Sequence, residues 1–242
     1  MTKLSVNINK IALLRNTRDI GLPSVTGAAE TVMRAGAHGV TVHPRPDQRH
    51  IRYDDAYELA KILTVEFNIE GNPFAGRYME VVTRIRPDQA TLVPDAPGAS
   101  TSDHGWDLWA DKRRVEPVVK ELRDLGIRVS LFMDPDIEGI KTAKQVGADR
   151  VELYTEPYAR AFRTNVRPDE TLQSYVRAAE AALEVGLGLN AGHDLNLKNL
   201  EKFCSAVPGL LEVSIGHALI ADALDMGLAR AVQEYLKILS RS

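Results

Sequence analysis

The chain has 242 residues, room for one large domain with a sizeable core, and its 44% hydrophobic and 26% charged content is that of an ordinary globular protein. A formal net charge of −3 with no basic block argues against non-specific nucleic-acid binding, and no apolar run approaches the roughly 20 residues of a membrane span. A lone cysteine, Cys204, excludes an internal disulfide and a cysteine-built metal site and points to the cytoplasm, in keeping with an opening MTKLSVNINK that lacks the apolar stretch of a secretory signal.

In chain order, short β-branched runs predict strands over 4–9, 39–44, 66–71, 89–94, 128–133, 150–155, 187–191 and 211–216. Between them the spacing predicts helices near 24–36, 54–64, 74–86, 111–125, 136–146, 169–185, 196–206 and 218–239. Four helix-to-strand junctions share one form: MRAGAHGVTVH, RDLGIRVSLF, KQVGADRVELY and LEVGLGLNAG each close a helix at a glycine and enter a strand. Glycine takes the left-handed conformation that ends a helix, and the following run suits a buried parallel strand. Eight alternating units at about 30 residues each predict one (β/α)8 TIM barrel over 1–242. A doubly wound open sheet is the competing fold, but no G-x-G-x-x-G follows the first strand. The stretches 94–110 and 155–168 read as long loops after strands four and six.

In such a barrel, chemistry sits at the carboxyl ends of the strands. Here those ends carry Asn7, Asn9 and Lys10, with Arg15 and Arg18 soon after. They also carry His43, Arg45 and His50, then Glu70, then Asp95 and Thr101. Glu152, Glu156 and Tyr158 follow, then Asn190 and His193, and last Gly216 and His217. His43, His193 and His217 fall at one register of three different strands, which a structural role would not require. His38 precedes its strand and reads as structural, and His104 lies in a loop. Glu70 interrupts an apolar strand, where a carboxylate is costly unless paired or used.

VSIGHALIADAL passes from strand through Gly216 into a helix with no charge in its first turn, a natural phosphate site. In TVHPRPDQRHI, two prolines stiffen a rim on which Arg45 and His50 can hold the charge of a second anion, with Arg18 in reach of either site.

The segments VNINKIALLRNTR, GVTVHPRPDQRHI, FNIEG, TLVPD, VSLFMD, NAGHDLN and SIGHALI, in this order, closely resemble the pyridoxine 5′-phosphate synthase family over about residues 4 to 237. The resemblance implies a (β/α)8 barrel assembled into an octamer. It implies condensation of 3-amino-2-oxopropyl phosphate with 1-deoxy-D-xylulose 5-phosphate to pyridoxine 5′-phosphate, phosphate and water, with no metal or organic cofactor. It implies that His43 and Glu70 accept protons and that His193 donates one. Asn7, Arg18, Gly216 and His217 would contact the aminoketone phosphate, and Arg45, His50 and Thr101 the deoxyxylulose phosphate. Glu152 would be a further acid of the site. Three positions depart from the family pattern. Asn9-Lys10 stands where many members have Asp-His, and Asp194 stands where many have glycine. Asp194 is therefore expected to turn its carboxylate away from a phosphate, or to offer only its N–H. A barrel aldolase or isomerase with Lys10 as Schiff base, and a non-catalytic phosphometabolite-binding barrel, are the competing functions.

Overall fold

A computed structural model describes residues 1–96, 98, 99 and 101–241. Its eight strands are β1 (Lys3–Asn7), β2 (Gly39–Val42), β3 (Glu66–Gly71), β4 (Gln89–Leu92), β5 (Arg128–Met133), β6 (Arg150–Tyr154), β7 (Gly188–Gly192) and β8 (Leu210–Ile215). They pair in parallel in sequence order, and β8 returns to β1 to close the barrel. Gly36, Gly126, Gly147 and Gly186 all have positive φ, so the four expected helix-closing junctions form as anticipated.

Successive strand residues face opposite sides. The apolar set, such as Val40 and Val42, Ile69, Leu92, Leu131, Leu153 and Val213, joins the main core beneath the helices. The other set is polar and buried: Ser5, Thr41, Asn68, Gln89, Thr91, Ser130, Asn190 and Glu212. Its members hydrogen-bond around and across the barrel axis, Ser5 to Thr41 at 2.7 Å, Thr91 to Asn68 at 3.0 Å and Asn190 on β7 to Gln89 on β4 at 3.4 Å. The barrel interior is thus a largely hydrogen-bonded polar column rather than an aliphatic plug, with the Ser130 hydroxyl left without a partner among the described residues. It leads up to the strand ends.

The helices are α1 (Asn9–Asn16), α2 (Val25–Arg34), α3 (Tyr53–Ile62), α4 (Tyr78–Ile85), α5 (Leu108–Asp124), α6 (Ile137–Gln145), α7 (Glu156–Thr164), α8 (Pro168–Glu184), α9 (Leu200–Ala206), α10 (His217–Met226) and α11 (Leu228–Leu239). Three departures from the sequence-based expectation stand out. The α1 helix occupies a stretch for which no helix was expected. The α7 helix fills most of the expected 155–168 loop. Pro157 stands in its first turn, where the missing N–H costs nothing, and Asn165 closes it in the left-handed region. Tyr158 packs on α7's inner face against Tyr175 and Phe203 and donates to the Asn199 carbonyl at 2.9 Å, so it braces the outer layer and stays out of the strand-end cavity. The expected 218–239 helix breaks at Gly227, φ 84°, into α10 and α11.

Helix α1 ties the first strand end to the loop after β2. Arg15 bonds both oxygens of Asp55, at 2.5 and 2.7 Å, and donates to the His50 carbonyl at 3.2 Å. The Asn16 amide donates to the carbonyls of Gln48, Arg49 and His50. Arg15 is therefore structural, and its task is to hold the Arg45–His50 rim in place. Pro97 and Ser100, within the expected 94–110 loop, lie outside the described residues.

Candidate active site at the strand ends

A cavity of about 420 Å³ opens at the carboxyl ends of the strands. It brings together Asn7, Asn9, Lys10, His43, Arg45, His50, Glu70, Thr101, Glu152, His193, Asp194, Gly216 and His217. Arg18 is not among the lining residues. Helix α1 ends at Asn16, and Arg18 sits beyond it on an exposed turn.

One hydrogen-bonded chain links three strand ends. The Asn7 amide donates to Glu70 Oε2 at 3.4 Å, the Asn9 backbone N–H donates to Asn7 Oδ1 at 3.0 Å, and the His43 N–H donates to Asn9 Oδ1 at 2.9 Å. Asn9 thereby fixes the His43 backbone, a task that needs an acceptor and no titratable proton. His43 Nδ1 then lies 3.8 Å from Glu70 Oε2. Desolvation, followed by Arg45, His50 and Arg49, holds the His43 imidazole well below its ordinary range. Desolvation, reinforced by the Asp95 charge, pushes Glu70 up to about 8. At neutral pH an uncharged imidazole therefore faces a protonated carboxyl, an acceptor beside a donor. Glu152, 2% exposed, is pushed well up by burial and then by Glu70, and its Oε2 has no hydrogen-bond partner among the described residues. It is a neutral donor at the cavity floor.

The loop after β7 presents His193 in a left-handed backbone conformation, φ 76°, followed by Asp194 at φ 54°. Non-glycine residues are held there only by surrounding contacts. The Thr155 hydroxyl supplies one, hydrogen-bonding the Gly192 and His193 carbonyls. Asp194 does not turn away from the site: its Oδ2 lies 3.0 Å from His193 Nδ1. A carboxylate only accepts, so Nδ1 carries the proton and Nε2 faces Thr101 Oγ1 at 2.8 Å. The carboxylate turns to the imidazole because Nδ1–H supplies it a hydrogen bond, which lowers the Asp194 pKa.

Two ends of the cavity suit anions. At one, Gly216 precedes α10, whose first turn has no side-chain cap, leaving its N–H groups free. A Cβ on Gly216 would stand 3.1 Å from Asn7 Cβ, so glycine keeps that approach open. At the other, Arg45 and His50 are joined by Lys10 and Arg49. His50 can serve that end as an uncharged ring. Desolvation and the cations Arg45, Lys10 and Arg49 depress it to about 4, and Ile51 N–H donates to its Nδ1 at 2.9 Å. Its Nε2–H can face an anion as a neutral donor.

Arg49, Ser102, Ser214, Val93, Phe132 and Leu13 also line the cavity and were not anticipated. Arg49 could have been taken from the same basic stretch as Arg45. Ser214 follows from period-two alternation with Glu212. Val93 and Phe132 form an apolar wall with Tyr154, whose ring meets His193 edge-on at 5.3 Å, and nothing in their local sequence sets them apart. Among the described residues no group of three or more His, Cys, Asp or Glu side chains is arranged to hold a metal ion, and no helix is long and apolar enough to cross a membrane.

The family model of the pyridoxal phosphate biosynthesis protein PdxJ matches residues 4–241. The pyridoxine 5′-phosphate synthase of Albidiferax ferrireducens is 53% identical over 249 residues, covering 99% of this chain and 98% of that protein. The protein of the same name from Flavobacterium johnsoniae is 52% identical over 237 residues, covering 98% and 99%. Among solved structures, thiamine phosphate pyrophosphorylase from Pyrococcus furiosus superposes with a TM-score of 0.61 at 16% identity over 99% of this chain and 96% of that one, a likeness of fold alone.

Proposed function

The chain belongs to the family of the pyridoxal phosphate biosynthesis protein PdxJ, and on that premise we propose that it is a pyridoxine 5′-phosphate synthase whose strand-end cavity is the condensing site. It joins 3-amino-2-oxopropyl phosphate to 1-deoxy-D-xylulose 5-phosphate and releases pyridoxine 5′-phosphate, phosphate and water. The aminoketone phosphate rests on the α10 N-terminus with Asn7, Gly216 and His217. The sugar phosphate rests on Arg45, His50 and Thr101, with Lys10 and Arg49 adding positive charge.

Forming an imine, eliminating phosphate and closing an aromatic ring all require proton movements at carbon and oxygen. Uncharged His43 takes a proton from the carbon next to a carbonyl. Glu70, protonated at the start, returns one to a leaving oxygen and then serves as acceptor. His193, held by Asp194 and Thr101, protonates a second leaving oxygen. Glu152 donates a hydrogen bond to negative charge developing at the floor. Each positioned acid or base contributes about 10²–10⁴-fold, and juxtaposing two substrates contributes further.

The observation that carries this proposal is that His43 and Glu70, 3.8 Å apart, line one cavity with Arg45, His50, Gly216 and His217. In the same proposal the chain is one domain over 1–242, works in the cytoplasm and assembles as a homo-oligomer, an octamer by family resemblance. The test is to supply purified protein with both phosphates and follow pyridoxine 5′-phosphate. Product from the pair and none from either alone is expected. Borohydride trapping of either substrate on Lys10 would favour a Schiff-base aldolase instead.

A further inference from the structure

We propose that Asp95 is a positioning residue of this site, one that fixes the Arg45 guanidinium against the cavity wall and ties it to Ser102 in the loop after β4. The inference rests on the proposed function only for which phosphate Arg45 receives. Asp95 itself does not line the main cavity. Its Oδ2 accepts from Arg45 Nη2 at 2.5 Å and from the Ser102 hydroxyl at 2.7 Å. Arg45 and Asp95 are each only 4% exposed, and Ser102 is 9% exposed. A guanidinium this buried needs fixed acceptors for its N–H groups. Its Nη1 donates to the Ala99 carbonyl at 2.8 Å, and Arg49 Nη1 donates to the same oxygen at 3.0 Å, so the loop carries acceptors for both cations. Asn72 Nδ2 donates to the Asp95 carbonyl at 2.9 Å, which holds Asp95 from the end of β3.

This arrangement has a second consequence. Asp95 Oδ1 is buried with no hydrogen-bond partner among the described residues, so its charge is compensated from one side only. That charge reaches Glu70, on which Asp95 is the largest influence after desolvation, and it favours the protonated carboxyl. One side chain thus positions the cation that receives a phosphate and preserves the proton on the neighbouring acid.

Asp95→Asn and Asp95→Ala separate these two effects. The Asn oxygen can still accept from Arg45 and Ser102, so Asp95→Asn is expected to keep the KM for the sugar phosphate within about threefold. By removing the charge, it should move the Glu70-dependent limb of the kcat–pH profile to lower pH. Asp95→Ala frees Arg45 and is expected to raise that KM by about 10–10²-fold, as displacement of a substrate-holding group does. In the double variant Asp95→Ala/Arg45→Ala, the KM should not rise beyond that of Arg45→Ala alone. Additive KM changes together with an unmoved pH limb would overturn the proposal. Inorganic phosphate binding, measured by calorimetry on the same variants, needs no turnover and keeps the two questions apart. Weaker phosphate binding in Asp95→Ala but not in Asp95→Asn supports the positioning role even if no product forms, and equal binding by all variants refutes it.

Discussion

His43 Nδ1 and Glu70 Oε2 stand 3.8 Å apart, and their shared surroundings drive the two groups in opposite directions, the imidazole down and the carboxyl up to about 8. Each group is uncharged where its ordinary counterpart would be charged or mixed. Folding therefore depends on pH in a definite sense. Glu70 binds a proton in the native state that it loses in the unfolded state above its ordinary 4.5, so its native advantage falls as pH rises from about 4.5 to about 8. His43 and His50 act oppositely: below 6.5 the unfolded chain binds protons that the native state refuses, so stability is lost as pH falls. Above 6.5 the raised carboxyls remain, Glu70 together with Glu152 and Glu212. The melting temperature is expected to decline between pH 6.5 and 8, and Glu70→Gln, which fixes the neutral form, should reduce that decline. An unchanged slope in the variant would remove Glu70 as its source.

The same Glu70→Gln substitution keeps the bond from Asn7 within reach of a side-chain oxygen but cannot exchange a proton. A fall in kcat of about 10²–10⁴-fold is expected, with KM for both substrates within a few-fold. Steady-state kinetics with each substrate varied in turn decides this.

His193→Ala removes the ring that bridges Asp194 and Thr101. Turnover should fall by about 10²–10⁴-fold while binding of either phosphate stays measurable by calorimetry. Wild-type turnover in this variant would exclude His193 from the chemistry. Asp194→Asn tests the orienting bond separately. It should lower kcat less than His193→Ala does.

Arg45→Ala should raise the KM for the sugar phosphate more than the KM for the aminoketone phosphate. Equal rises would show that the two phosphate ends are wrongly divided. Lys10→Ala should produce a smaller rise of the same kind, since Lys10 is exposed at the rim while Arg45 is 4% exposed.

Gly192→Ala should destabilise the barrel by about 1–3 kcal/mol, the usual cost of overpacking. A Cβ there would meet Glu152 Oε1 at 2.5 Å and the Ser214 carbonyl at 2.8 Å. The first could swing aside, but the second is the backbone of β8. Thermal unfolding should register the loss, and kcat should fall with it as Glu152 is displaced.

Much of this was legible in the sequence because glycine-closed helices and period-two strands leave local marks. Gly36, Gly126, Gly147 and Gly186 announced four of the βα units, and the strand-end histidines followed from register. The α1 and α7 helices were obscured by composition. Their capping residues, Ile8 and Thr155, make no side-chain capping bond, so neither start carries the usual signal. The charge state of His50 is set by burial and by Arg45, Lys10 and Arg49 around it, a spatial property that no spacing encodes. Asp194 was misjudged because the turn that brings its carboxylate onto His193 needs two consecutive left-handed residues, an arrangement rare enough that sequence gives no warning of it. Asp95 went undervalued because its partners come from the loop after β2 and from seven residues downstream.

The account stands on a single cavity in which His43, Glu70 and His193 surround the reacting atoms. The most direct measurement is a crystal structure with pyridoxine 5′-phosphate bound. The pyridine ring should lie between His43 and His193 with its phosphate on Gly216 and His217; a product molecule seated away from these residues would contradict the account.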